Sequence, residues 1–240
     1  MKKIILFLFI IVSLGRLMAQ DESGGPNYRN PYLGVKFGYG IVEFKSSVKD
    51  VNNFAEITYN NLSYGVVAGY NITGRISIQL EGNYAQYSAR NIIPTYLYSP
   101  QSPLLQTYNS NSTVDRVDIQ LYNIDVPLLV QVSLKDYGLT PYIYGGLNLG
   151  INISGRSTIV RKIVENGTSY REYRDDITER IIYNEFAPVF GVGIKKNSGN
   201  ISLFGDVRYK YGYENLSNVD NDLGFTSSAL WISAGIIYNL

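Results

Sequence analysis

The chain has no cysteine and no histidine. Without cysteine it forms no disulfide, offers no thiol nucleophile and has no N-terminal Cys to carry a lipoprotein's acyl chains. Without either residue it has no Cys/His zinc site, and it lacks the side chain most used as a general base. Charge is scarce as well. Only 17% of residues are charged, against about 25% in soluble domains. The formal net charge is +1, so bulk electrostatics gives no attraction to nucleic acid. The missing charge is not replaced by a long apolar run, because only the N-terminus is continuously hydrophobic. No cofactor or metal is expected.

Glycine (23) and tyrosine (22) are abundant. Both suit strands that carry aromatic girdles and turn tightly. At the N-terminus, Lys2 and Lys3 precede an apolar run, Ile4 to Leu14, and Leu17-Met18-Ala19 offers a small residue before Gln20. The run is short of the roughly 20 residues a spanning helix needs, and Arg16 stops it from being extended. The pattern predicts a signal peptide over 1–19, cleaved after Ala19. Residues 20–31 are then a periplasmic lead-in, and 32–240 the folded domain.

From Leu33 onward the chain alternates with period two. Leu33, Val35, Phe37, Tyr39 and Ile41 share one face, and Gly34, Lys36, Gly38 and Gly40 the other. The same pattern recurs around Val66, Ile78, Ile124, Leu147, Val192, Val207 and Ile232, which makes eight strands. Each is long enough for the 9–11 residues that a tilted membrane strand requires. The connections alternate in length. Thr73-Gly74, Lys135 to Thr140 and Lys196 to Asn200 are short, whereas the links near 45–57, 92–116, 154–185 and 213–228 are long. Outer-membrane barrels have short periplasmic turns and longer extracellular loops.

The expected fold is therefore all-β: an eight-stranded antiparallel up-and-down transmembrane β-barrel, with lipid as its first partner. A lipocalin-like barrel has the same strand number but turns its apolar wall inward. The apolar wall here is almost free of charge, and Arg or Lys on a lipid-facing wall at the midplane costs about 2–4 kcal/mol. That favours the membrane. Eight strands leave an interior that side chains just fill, so no wide channel is expected.

The polar wall carries Lys36, Glu81, Asp125, Asp206, Arg208 and Lys210. Buried ions need partners, so these six are expected to form a charge-balanced lumen network rather than a catalytic pair. Pro127 falls inside a strand. It cannot donate to the ladder, so it marks a bulge or a locally unpaired site. In the link 154–185, Asn166-Gly167 reads as a hairpin turn, which continues two strands above the membrane as a mixed-charge ribbon. Arg161, Arg171 and Arg174 in this segment are candidate partner contacts.

Three segments carry a family resemblance. Asn123-Ile124-Asp125-Val126-Pro127-Leu128-Leu129-Val130 comes first. Pro141-Tyr142-Ile143-Tyr144-Gly145-Gly146-Leu147-Asn148-Leu149-Gly150 comes next, after one short turn, and Asp206-Val207-Arg208-Tyr209-Lys210-Tyr211-Gly212 is the third. In order and spacing they resemble the PorT-type outer-membrane β-barrel proteins of Bacteroidota. The resemblance implies an outer-membrane barrel and a non-enzymatic accessory part in type IX secretion, with secretion-machinery proteins as partners. It brings no catalytic residues. The alternatives are a small passive pore and a surface ligand-binding barrel. An outer-membrane enzyme is disfavoured, because small-barrel enzymes of that membrane pair Ser or Asp with His and this chain has none.

Overall fold

A computed structural model describes residues 31–46, 61–90, 112–134, 138–164, 168–217 and 225–240. The expected signal peptide and most of the expected lead-in lie outside these residues, as do the expected Asn166-Gly167 turn and most of the other long links. The strands are β1 (Pro31–Ser46), β2 (Asn61–Asn71), β3 (Ile76–Arg90), β4 (Ser112–Ser133) and β5 (Leu139–Val164). They are followed by β6 (Thr168–Asp176), β7 (Asn184–Ser198), β8 (Ile201–Lys210) and β9 (Phe225–Asn239). Every pairing between neighbours is antiparallel. Eight strands close a ring in the order β1-β2-β3-β4-β5-β7-β8-β9, with β9 returning to β1. The ninth, β6, pairs only with the upper part of β5 and stands outside the ring.

The two walls divide as the alternation requires. On β1, Leu33, Val35, Phe37, Tyr39 and Ile41 point outward and are 46–58% exposed, while Lys36 between them is 6% exposed. The outward wall is likewise apolar on the later strands: Leu80 and Leu128, then Leu147 and Val192, then Leu203 and Ile232. No water-soluble domain leaves so continuous an apolar surface bare. Lipid is its cover, and the lipocalin alternative is thereby excluded. A closed ring also satisfies the backbone groups that hydrocarbon cannot.

Inside, large rings and glycines are matched across neighbouring strands. Tyr32 sits opposite Gly69, Tyr142 opposite Gly193, Tyr144 opposite Gly191, Phe204 opposite Gly235 and Trp231 opposite Gly40. A Cβ at each of these glycines would strike the facing ring. The glycines of the polar wall are thus the floor on which the lumen's aromatics lie. Two further glycines serve turns through positive φ: Gly138 (76°) and Gly199 (60°).

Pro127 is not a bulge. Its pairing with Asn148 of β5 is continuous, and the β3–β4 register is the same on either side of it. Only the β3–β4 ladder is interrupted there, as expected of a residue with no N–H to give. The register shifts fall elsewhere, between Val114 and Arg116 and between Tyr122 and Asn123. At the second, Tyr122 faces Ser154 and Asn123 faces Asn152, so Ile153 is the extra residue. Past it the inward parity of β5 changes, from Asn148 and Asn152 to Gly155, Ser157 and Ile159.

At the end of the ring that carries the long links, the polarity of the walls inverts. Val42 and Phe44 are buried inside, while Glu43 and Lys45 pair outside at 3.2 Å. Ile119 and Leu121 are inside too. Here water replaces lipid on the outside, so the barrel continues as a soluble one with an apolar core.

Candidate functional site

Besides an aromatic and apolar cluster at the short-turn end (Tyr32, Val67, Phe204 and Ile237), the lumen is filled at two further levels. The middle level is ionic. Strand β8 alternates three charged residues inward: Asp206, Arg208 and Lys210. Lys36 of β1, Glu81 of β3 and Asp125 of β4 meet them, and all six are at most 8% exposed. The six predicted residues are therefore brought together, but as two linked groups.

The first group centres on Glu81. Arg208 grips it with two bonds, Nη1 to Oε2 at 2.8 Å and Nη2 to Oε1 at 2.6 Å. Lys36 Nζ donates at 3.2 Å, Gln79 at 2.7 Å and Asn83 at 2.9 Å. Lys36 also lies 3.8 Å from Asp206, which accepts from the Tyr144 hydroxyl at 3.1 Å. Arg208 Nε donates to that same hydroxyl at 3.1 Å.

The second group centres on Lys210. It donates to Glu185 at 2.6 Å and lies 4.0 Å from Asp125. The Tyr87 hydroxyl donates to Asp125 at 2.5 Å, and the lysine sits 4.4 Å above the Tyr87 ring. Glu185, fully buried at 0% exposure, is the residue that sequence reasoning misses. It is the second residue of β7, one position before Phe186, and the alternation alone groups it with the preceding link. The inward parity of Ala187 and Val189 extends back to it. With Glu185, three cations face four carboxylates, so the network holds one more negative group than the predicted three-to-three balance.

Only about 20 Å³ of free space remains among Lys36, Asn83, Tyr87, Asp125 and Lys210, enough for about one water. Each carboxylate of the network lies within 4.0 Å of a cation. Such an arrangement holds the charges in place and leaves little free space between them.

The second level is an apolar stopper at the long-link end. Between β6 and β7 the chain turns through a 3-10 segment, Thr178–Arg180, and inserts Ile177 and Ile181 into the mouth, 0% and 5% exposed. Leu216 joins them from the link after β8, and the three pack on Leu121, Ile159 and Trp231. Backbone bonds stitch the stopper down: Ile177 N–H to Gly155 O at 3.0 Å, and Ile182 N–H to Leu216 O at 2.9 Å. Asp176 accepts from the Thr178 N–H at 2.9 Å and from its hydroxyl at 2.5 Å. Those two bonds hold the Asp176 carboxyl below the usual aspartate range.

The β5–β6 ribbon rises beside this stopper. Arg171 and Arg174 are exposed on β6. Arg161 is not a surface contact: it is 5% exposed, with its guanidinium 5.6 Å from the Tyr173 ring centre. The sequence places all three on one link, but Arg161 falls in β5 on the face that packs inward.

The family described as "Outer membrane protein beta-barrel domain" matches residues 18–218. The chain belongs to that family. No curated protein matches it. Among solved structures it is similar to the outer membrane protein OprG from Pseudomonas aeruginosa, with 10% identity, a TM-score of 0.49 and coverage of 88% of this chain and 96% of that one. It is also similar to Neisserial surface protein A, with 15% identity, a TM-score of 0.44 and coverage of 87% and 96%. A third is the outer membrane protease OmpT from Escherichia coli, with 8% identity, a TM-score of 0.41 and coverage of 91% and 99%.

Proposed function

We propose that this outer-membrane barrel is neither a pore nor an enzyme, and that it works as a rigid scaffold for recognition above the membrane. The observation that carries the reading is the double filling of the lumen, ionic in the middle and apolar at the mouth, beside a two-stranded ribbon that reaches past the ring. A pore would need the reverse. The long-link end, taken as extracellular, is where such barrels carry their recognition loops.

The finer form of the reading is an accessory role in type IX secretion. Its support is the three segments that resemble the PorT-type barrels. Those segments supply Asp125, Tyr144, Asn148, Asp206, Arg208 and Lys210, all of them in the lumen network. The resemblance therefore speaks for a shared lumen more directly than for a shared partner. The test is the secreted and surface proteome of a deletion strain with complementation. Retention in the periplasm of cargo bearing the pathway's C-terminal sorting domain is the expected result. An unchanged secretome removes the secretion role and leaves the scaffold reading to searches for a surface ligand.

A further inference from the structure

Strand β6 has one edge on β5 and, among the described residues, no strand on the other. An open edge of nine residues is a template for another strand unless something covers it. Its sequence runs Thr168-Ser169-Tyr170-Arg171-Glu172-Tyr173-Arg174-Asp175-Asp176. Seven of these nine residues are exposed, and only Tyr173 and Asp175 are partly covered. We propose that the occupant of this edge is β6 of a second copy of this chain, running antiparallel and centred on Tyr173.

The argument is charge register. With Tyr173 opposite itself, Glu172 faces Arg174 of the other copy, and Arg174 faces its Glu172. On the opposite face, Arg171 meets Asp175, and Asp175 meets Arg171. Tyr170 faces Asp176. Four opposite-charge pairs form and no like-charge pair does. Directly opposed side chains are the ones that stabilise or oppose a strand pair. Slipping the centre by half a residue toward Glu172 places Arg171 against Arg174, and centring on Glu172 sets that carboxylate against itself. The self-complement therefore selects one register, and a two-fold axis makes it isologous. Within one chain these groups are only lightly engaged. Arg174 lies 3.6 Å from Glu172 with both side chains more than half exposed. Asp175 holds Arg180 at 3.0 Å and keeps a free side for a second guanidinium.

The direction of the strands sets the geometry of the pair. β5 is a single strand from the barrel wall to the ribbon tip, so β6 runs back toward its own membrane. A mate antiparallel to β6 runs away from that membrane, and its barrel lies in a facing one. The predicted contact therefore bridges two membranes. The residues of β5 beyond Ile153 give it a reach of roughly 35 Å along the strand. This inference rests on the surface-scaffold reading.

The test uses the purified full-length protein in phosphatidylcholine vesicles, with clustering monitored by light scattering. Wild-type vesicles are expected to cluster, and less so as salt is raised. Glu172→Arg sets Arg against Arg in the self-pair, and Arg174→Glu sets Glu against Glu, so each variant alone is expected to stay dispersed. Mixing the two populations restores both pairs, and clustering is expected to return to the wild-type extent. That return also shows that both variants fold. Wild-type vesicles that stay dispersed overturn the self-pairing, as do single variants that cluster like wild type or a mixture that does not recover. None of these outcomes touches the scaffold reading, whose non-conducting lumen is tested separately by planar-bilayer recordings.

Discussion

At the scale of single residues, Glu81 has the most to lose. It accepts five donated bonds, three of them from the cations Arg208 and Lys36. Removing its charge leaves two buried cations with only Asp206 near them, and breaking a buried pair from one side costs about 3–5 kcal/mol. Glu81→Gln is therefore expected to lower the urea midpoint of the refolded barrel far more than Lys36→Met, which leaves the two-bond Arg208 grip intact. Equal midpoints for the two variants would refute this hierarchy. The charged residues were legible because a lone Lys or Asp on the polar face of a strand has nowhere to go but inward. Glu185 was not, because it sits at the second position of its strand, where the alternation has only just begun and does not yet reveal parity. Tyr87 was hidden differently. A tyrosine suits an outer girdle as well as a lumen, and only its hydroxyl partners tell the two apart.

At the scale of elements, the alternation in each strand predicted which wall would be apolar, and the pattern was plain wherever lipid lies outside. It fails at the two register shifts of β4 against β5, because one extra residue exchanges the walls without any mark in composition. Pro127 marks the locally unpaired site and not a bulge: an absent donor interrupts the β3–β4 ladder without adding a residue. The matching of rings to glycines is a second code, visible only once register is known. It predicts a specific compensation. Gly69→Leu drives a side chain into the Tyr32 ring, whose atoms are the nearest to a Cβ there, and overpacking of this kind costs about 1–3 kcal/mol. Tyr32→Ala in the same chain clears the site. The double variant is expected to fold more stably than Gly69→Leu alone, as judged by the heat-dependent shift of the folded band on gels. Additive losses from the two changes would mean that Gly69 is needed for the backbone rather than for the ring.

At the scale of the whole molecule, the inversion of the walls sets the lumen's behaviour. Below it the inside is polar because the outside is lipid. Above it the inside is apolar because the outside is water, and Ile177, Ile181 and Leu216 close the mouth. No composition window detects such a change, since both halves alternate equally well. On the scaffold reading, the ionic level and the stopper are two obstacles in series. Arg208→Ala loosens the ionic level and lowers stability, but the stopper remains. Replacing Ile177, Ile181 and Leu216 together by Ala opens the mouth, but the Glu81–Arg208 grip remains. In planar bilayers the wild type and both of these variants are therefore expected to stay at the baseline current, and only the combination of all four changes is expected to conduct. Single-channel steps from the wild-type protein would overturn the non-conducting reading outright. Steps from Arg208→Ala alone would show that the stopper opens on its own, which its stitching to Gly155 and Leu216 argues against.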